Sequence, residues 1–571
     1  MVLAWLIVAG CRPTPTSSDP PASTIPPAAT NDQPDLAGIR FVDDAARRGL
    51  NYVWPQQQRP LRANDAQGCG CALFDFDDDG WQDVLLVARP HPRLYRNTGG
   101  GQFEDITQSV GLADLDGYWI GCAVGDYNGD GRQDLLLTGI HHLALLQNSG
   151  SGFSNVTEQA GLDPSNRGHW GTSAGFMDLD GDGFHDLVLL NYVEWGSGVK
   201  EYCEYTPGII SGCTPHEYVP ERGELWRNTG QGRFELVPEE NCMQSTGGVC
   251  LVLAFIDLDD DGRMDFYLGN DGVNAEMLMN RGDMRFDNIG HFCGLAMRQA
   301  TPMAAMGADW ADYDRDGRLD LAVTNFQELC YAVYRNQGGS VFSDVSAPTG
   351  VADATRQRLG FGAKWLDMDN DGWPDLCFAN GHVYDNVDKM EPPGDYRQPT
   401  QLMRNLQGQR FVDLAGELGG DVARPLIGRG SATGDIDNDG RIDVLVVDYE
   451  GPVMLLHNES QTPHHWITLD LRSAPPNALA FGARAEARTG GQVWINEVSP
   501  ATSFLSASDP RIHWGLGETD KLETLTIRWP SGRQEEFHDL SVDRIVRIEE
   551  GKGEVGGERR KGEGERRKSD G

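Results

Sequence analysis

The sequence predicts an all-β protein, a seven-bladed β-propeller followed by a small β-sandwich or barrel. Three observations carry that prediction. A nine-residue acidic loop recurs seven times, one short apolar strand leads into each copy and another leads out, and two more strands follow before the next copy. Four short strands per unit of about 50 residues is the period of a propeller blade.

The loop reads D-x-D-x-D-G-x-x-D. Its positions 1, 3, 5 and 9 are Asp75, Asp77, Asp79 and Asp83 in loop one, and Asp126, Asn128, Asp130 and Asp134 in loop two. Loop three has Asp178, Asp180, Asp182 and Asp186, and loop four has Asp257, Asp259, Asp261 and Asp265. Loops five, six and seven have Asp312, Asp314, Asp316, Asp320, then Asp367, Asp369, Asp371, Asp375, then Asp435, Asp437, Asp439, Asp443. Asn128 is the one departure from aspartate. Oxygens at positions 1, 3 and 5 of a tight turn converge on one point, the glycine at 6 permits the bend, and position 9 closes the far side. Up to seven Ca²⁺ ions are therefore expected, mainly structural, because Mg²⁺ keeps its waters and Zn²⁺ prefers nitrogen and sulfur. An EF-hand shares the front half of this loop but needs a Glu at position 12 and flanking helices. Here strands flank it, so these are calcium hairpins.

The formal charge of −38 over 571 residues excludes a nucleic-acid partner, since phosphate binding needs a basic face. One divalent ion per loop would bring that charge to −24. At the N-terminus, MVLAWLIVAGC (1–11) is a short apolar run ending in Val8-Ala9-Gly10-Cys11, the form of a lipoprotein signal cut before a lipid-bearing Cys11. Residues 12–37, rich in Pro, Thr and Ser, make an extended tether. Nothing in the chain approaches the 18 or so apolar residues of a membrane-spanning helix. With Cys11 lipidated, ten of the eleven cysteines remain, an even number open to pairing.

The repeat runs over 38–460. First strands are built of small residues, as in GCALF (70–74) and GCAVG (121–125); second strands are apolar, as in VLLVA (84–88) and LVLLN (187–191). Third strands end in a polar turn, as in LYRNTG (94–99), LWRNTG (225–230) and VYRNQG (333–338), and fourth strands begin at a Phe, as in FEDIT (103–107). Six fourth strands follow their own blade. The seventh, FVDD at 41–44, precedes the first loop, so residues 41–50 are expected to close blade seven from the other end of the repeat region. Loop starts lie 51, 52, 79, 55, 55 and 68 residues apart, placing insertions around 192–222 and 381–400, where binding loops often sit. Residues 463–550 contain no acidic loop but several alternating strands, a separate β domain, and 551–571 is a low-complexity tail expected to be disordered.

Other motifs carry less. Gly171-Thr172-Ser173-Ala174-Gly175 has the letters of a nucleophile elbow, but it runs straight into a strand instead of turning into a helix, so it is expected to be structural. Arg281-Gly282-Asp283 falls where other third strands turn, and is expected to be that turn. Cys203 with Cys213, and Cys242 with Cys250, are spaced for local disulfides; Cys71 and Cys122 share a register in which they either pair or pack as small apolar residues. His141, His142, His464 and His465 stand in loops, and His382 stands in an insertion, which makes it the first histidine to test. No convergent acid, base or nucleophile stands outside the acidic loops, so no catalytic residue is expected.

The blades resemble FG-GAP/VCBS repeats, the propeller type of integrin α subunits. Residues 463–550 resemble the ASPIC/UnbV domain through FGARAEA (481–487), FLSASDPRIHWGLG (504–517) and IRWPSGR (527–533). Together with Asn380-Gly381-His382-Val383-Tyr384 and Tyr396-Arg397-Gln398-Pro399, the chain resembles the bacterial cartilage acidic protein-like group over about 38–550. The resemblance implies calcium ligands at positions 1, 3, 5 and 9 with the carbonyl of position 7, Trp81 in loop one, and implies a secreted or surface role in adhesion. The leading expectation is an exported calcium-binding module that binds a protein or carbohydrate at the cell surface. It would touch the membrane only through its lipid anchor, as a periplasmic, outer-membrane or cell-surface lipoprotein, or else be secreted. The alternatives are a calcium-dependent polysaccharide lyase or hydrolase, and a scaffold of a surface complex.

Overall fold

The computed structural model describes residues 38–241 and 247–556. The expected signal, Cys11 and the tether, with Cys242 and the tail beyond 556, lie outside the described residues. The chain is all-β. Seven four-stranded antiparallel sheets occupy the repeat region, the first built from Cys71–Phe74, Asp83–Leu86, Arg93–Asn97 and Phe103–Asp105. Each sheet repeats this order, so every first strand runs toward its acidic loop and every second strand runs away from it. The sheet of Gly428–Gly434, Asp443–Asp448 and Met454–Asn458 takes its fourth strand from Phe41–Asp43, with Phe41 opposite Asn458.

First strands of successive sheets neighbour one another in a closed cycle. The cycle closes tightly: Gly430 N–H donates to the Cys69 carbonyl at 3.1 Å, joining the last first strand to the first. Small residues are needed at this register. A Cβ on Gly307 would lie 1.9 Å from the Phe361 carbonyl oxygen, and Ser173 fits only by donating to the Leu251 carbonyl at 2.7 Å. Apolar second strands fill the gaps between sheets, with Val84, Leu85, Leu135, Leu187, Phe266, Leu321, Leu376 and Val444 all fully buried. Each such side chain contributes roughly 1.5–3 kcal/mol.

Residues 465–556 form two further four-stranded sheets. One orders Ile512–Gly517, His465–Arg472, Arg544–Glu549 and Gly553–Gly556; the other orders Gln492–Glu497, Arg484–Thr489, Lys521–Arg528 and Gln534–Ser541. Ile467, Leu469, Ala485, Leu525, Val546 and Ile548 are buried together in its core. The strand Gly553–Gly556 corrects the expectation that disorder begins at 551. Gly551 and Gly553, at φ 76° and 81°, make the turn, and Glu554 then pairs with Arg544.

The connection 499–511 leaves this domain and enters the middle of the ring. Leu505 accepts from Cys122 N–H at 3.2 Å, Ala507 exchanges bonds with Cys71 and Leu73 at 3.0 and 3.1 Å, and Ser503 N–H donates to Ala308 at 2.7 Å. Phe504 packs edge-on against Phe361 with ring centres 4.8 Å apart. The central channel is thus filled by the C-terminal domain from the acidic-loop side.

At the other end the insertions form a lid. Tyr202–Thr206 and Ile209–Gly212 make a hairpin whose base is joined by the Cys203–Cys213 disulfide. It reaches across to the second insertion, where Ser211 Oγ and Asn386 Oδ1 are 2.8 Å apart and Asn386 Nδ2 donates to the Ile210 carbonyl at 2.9 Å. Trp170, fully buried beneath, meets Tyr192 and Trp195 edge-on.

Candidate metal loops and the face they form

Six of the seven loops are built by the same hydrogen bonds, and loop three differs from them at one donor. Position 1 accepts from the backbone N–H groups of positions 5 and 6, as Asp75 does from Asp79 and Gly80 at 3.0 and 2.9 Å; in loop three the pair is Gly181 and Gly183. Position 9 accepts from position 2 through one oxygen and from the third strand through the other. Asp83 receives Phe76 N–H at 2.8 Å and Asn97 N–H at 2.6 Å. The glycine at position 6 is left-handed in every copy, from φ 84° at Gly317 to 91° at Gly183.

The partner of position 9 is a residue that reading the sequence placed only in a polar turn. The asparagines Asn97, Asn148, Asn228, Asn280, Asn405 and Asn458 each donate Nδ2 twice, to position 8 of their own loop and to position 2 of the preceding loop. Asn97 reaches Ile436 at 2.8 Å, so this ladder too runs from the seventh sheet back to the first. Its signal was the Asn that ends every third strand.

A second missed feature is a guanidinium on each loop. In loops two, four, five and seven it comes from position 7: Arg132, Arg263, Arg318 and Arg441 pair with the carboxylate at position 5. Loops one, three and six carry Trp81, Phe184 and Trp373 at position 7. There a third-strand arginine pairs with position 3 instead, Arg96 with Asp77 at 2.5 Å, Arg227 with Asp180 at 2.6 Å and Arg404 with Asp369 at 2.6 Å. Loop five has both, through Arg335, and in loop seven His457 and Arg48 take the third-strand role on Asp437 at 3.0 and 3.3 Å.

These side-chain cations do not satisfy all of the carboxylate oxygens. Oxygens of positions 1, 3 and 9 in loops one, three and four lie within 4.8 Å of one another. Asp77 Oδ1, Asp314 Oδ1 and Asp437 Oδ1 are buried and accept no hydrogen bond. Burial, with neighbouring carboxylates adding to it, pushes Asp83, Asp134 and Asp265 up to about 8, Asp312 and Asp435 to about 7, and Asp75, Asp126 and Asp178 to about 6. Asp437 runs the other way: burial would raise it, but His457 and Arg48 hold it below the usual range. An all-oxygen donor set with orphaned buried oxygens fits a hard divalent ion held by positions 1, 3, 5 and 9.

Position 4, unassigned in the sequence pattern, is where the C-terminal domain engages the loops. Asp78, Asp260, Arg315, Asn370 and Asn438 are all left-handed, with φ between 53° and 59°. Arg484 reaches Asp260 at 3.2 Å, Arg511 Nη1 donates to Asn438 Oδ1 at 2.9 Å, and His513 Nε2 lies 2.9 Å from Asn370 Oδ1. Arg315 donates to Gln492 Oε1 at 3.1 Å and lies 4.2 Å over Trp494, and Arg472 stands 3.7 Å from Asp78. In loops two and three position 4 is Gly129 or Gly181, and Pro476 packs against loop glycines instead, where a Cβ on Gly129 would meet it at 2.9 Å. Arg528 also pairs with Asp257, the first ligand position of loop four.

The remaining sequence candidates are structural. The hydroxyl of Ser173 is spent on the Leu251 carbonyl. Arg281-Gly282-Asp283 is a turn with Gly282 and Asp283 at φ 81° and 54°, and Arg281 pairs with Asp287 at 2.8 Å. His382 is buried, and burial with the nearby Arg429 pushes it down to about 3; its Nδ1 accepts from Tyr384 N–H at 3.0 Å. His141 bonds the Trp195 carbonyl, His142 the Ile140 carbonyl, His464 the Asp369 carbonyl and His465 the Asp543 carboxylate. Cys71 and Cys122 are free thiols packed in the channel wall. Cys250 is a free, fully buried thiol, and its expected disulfide partner Cys242 lies outside the described residues.

The family model described as FG-GAP-like repeat matches residues 75–137, 126–189 and 257–323, and the model described as ASPIC and UnbV matches 473–555. The chain is 22% identical over 505 residues to cartilage acidic protein 1 of Xenopus tropicalis, covering 81% of this chain and 70% of that protein. It is likewise 22% identical over 504 residues to the Homo sapiens protein of the same name, covering 81% and 69%. Among solved structures it is similar to one described as YCF48 bound to D1 peptide, at 11% identity and TM-score 0.38, covering 75% of this chain and 99% of that one. Neither family is an enzyme family, which is consistent with a non-enzymatic protein. The chain is an FG-GAP-like repeat protein with a C-terminal ASPIC and UnbV domain, homologous to cartilage acidic protein 1.

Proposed function

We propose that this protein is an exported, calcium-held interaction module that binds a protein or carbohydrate ligand at the cell surface, as a lipid-anchored or secreted protein. The observation that carries the calcium reading is the repeated convergence of buried carboxylates, several with orphaned oxygens, beyond what the guanidiniums on the loops neutralise. Positions 1, 3, 5 and 9 would hold the ion, and its two charges would offset the repulsion among them. The seven loops together form the seat of the C-terminal domain, so the ions would hold one rigid body on which surface loops are displayed. Rigidity of that kind serves recognition, because little order has to be gained on binding. The test is capture from a native cell envelope with the intact chain as bait, in calcium and in EDTA. Capture of a ligand in calcium that EDTA releases is expected; a capture pattern identical in both buffers contradicts the reading.

A further inference from the structure

We propose that the cleft between loop one and the C-terminal domain binds an uncharged saccharide. The proposal rests on the interaction-module reading and assigns that module's ligand class and place. The cleft measures about 760 Å³, within the range of small-ligand sites. Loop one forms one wall; His465–Arg472 and Arg544–Glu549 form much of the other.

Its lining decides the chemistry. Its charged groups are largely paired within one wall, Asp470 with Arg472 and Arg547, Arg544 with Glu554 and Arg511 with Asp509, so the cleft presents no block of one charge to an ionic ligand. Acceptors and donors on the same walls match the hydroxyls of a sugar, and an indole face suits the C–H face of a pyranose ring. Trp81 is free for that role because loop one draws its guanidinium from Arg96, whereas in loops two, four, five and seven position 7 is itself the arginine folded over its loop. The indole N–H of Trp81 bonds to no described protein group. Trp466 is fixed nearby by Gly440, where any Cβ would lie 1.8 Å from the indole. Asp470 clamps Arg547 and Arg472 through their Nε atoms at 2.6 and 2.9 Å, which orients both and leaves the terminal nitrogens of Arg547 without a hydrogen bond among the described residues. Rigid aromatic and guanidinium groups with unspent donors are what a weakly hydrophobic, hydroxyl-rich ligand requires.

The experiment is binding of the intact chain in calcium to a printed array of neutral and acidic oligosaccharides, followed by calorimetry on the strongest neutral hit. Trp81→Ala, Arg547→Gln and Trp373→Ala are compared, the last being the corresponding indole of loop six, outside the cleft. The expected result is a neutral hit weakened tenfold or more by Trp81→Ala and threefold or more by Arg547→Gln, and unchanged by Trp373→Ala. Arg547 lies outside the loops, so its variant keeps the test decisive where Trp81→Ala disturbs folding. Binding confined to acidic glycans, neutral binding indifferent to both cleft variants, or no glycan binding at all overturns the assignment. Any of these, together with calcium-dependent capture of a protein from the envelope, leaves the interaction-module reading standing; no capture of any kind removes both.

Discussion

The two ends of the ring are closed by different chemistry. The acidic-loop end is closed by repetition: seven near-identical turns, a ladder of asparagines, and a domain that engages loop after loop. The opposite end is closed by two unrelated insertions, an aromatic cluster around Trp170 and one disulfide. The difference teaches that the first end depends on charge neutralisation, while the second depends on local packing. Calcium and reductant should therefore act on opposite ends.

The sharpest way to break that division is chelation. Extracellular calcium modules bind with Kd of roughly 10⁻⁴–10⁻³ M, and a site at ten times its Kd adds roughly 1.4 kcal/mol. Seven independent sites approach ~10 kcal/mol, comparable with a whole protein's stability. Excess EDTA is expected to lower the melting temperature by about 10 °C or more, read by scanning fluorimetry.

Next in size is the channel. Leu505 is buried where the first strands converge. Leu505→Asp places an unpaired charge there and is expected to cost about 3 kcal/mol or more, and limited proteolysis should then cut within 499–511 while the repeat region stays resistant. Wild-type resistance in the variant would show that the plug is dispensable.

The pH dependence follows from the raised carboxyls. In an acid whose folded value is raised, the protonated form is favoured by folding, so stability falls as pH climbs from the unfolded value, near 3.8, to the folded one. For Asp83, Asp134 and Asp265 that window runs up to about 8. In EDTA the melting temperature should therefore be lower at pH 8 than at pH 5.5, and calcium should recover more of it at pH 8, where fewer protons compete for the ligand oxygens.

Smaller effects separate the loops and the lid. Arg96→Gln removes a cation from position 3 of loop one and is expected to tighten calcium there about threefold, whereas Arg263→Gln, acting on position 5, should change loop four less; calcium titrations of the two variants check the order. Reduction of Cys203–Cys213 should raise hydrogen exchange only in the hairpin and its contacts at 384–386, leaving the melt within about 2 °C, because the bridge closes a short local loop.

Much of the acidic end was legible because repetition turns a weak local signal into a strong one. One D-x-D-x-D-G-x-x-D is ambiguous, but a run of them sets the blade period, and FVDD at residue 41 pairs with Met454–Asn458 where the count of Phe-led strands places it. The asparagine ladder was visible in the letters but not in its role, since an Asn before a turn glycine is ordinarily just a turn residue. Position 4 was illegible: Asp, Asn, Arg and Gly alternate there because each answers a different partner across the C-terminal domain. The channel plug was equally hidden, as FLSASDPR carries no periodicity and its hydrogen bonds are made with strands from 75 to 436 residues earlier. His382 misled for the converse reason, a loop position in sequence that packing has buried beside Arg429.

Equilibrium dialysis against labelled calcium tests the central claim most directly, counting ions bound per chain near neutral pH. Close to seven ions per chain is predicted, one for each loop. Binding of one ion or none, at millimolar free calcium, would contradict it.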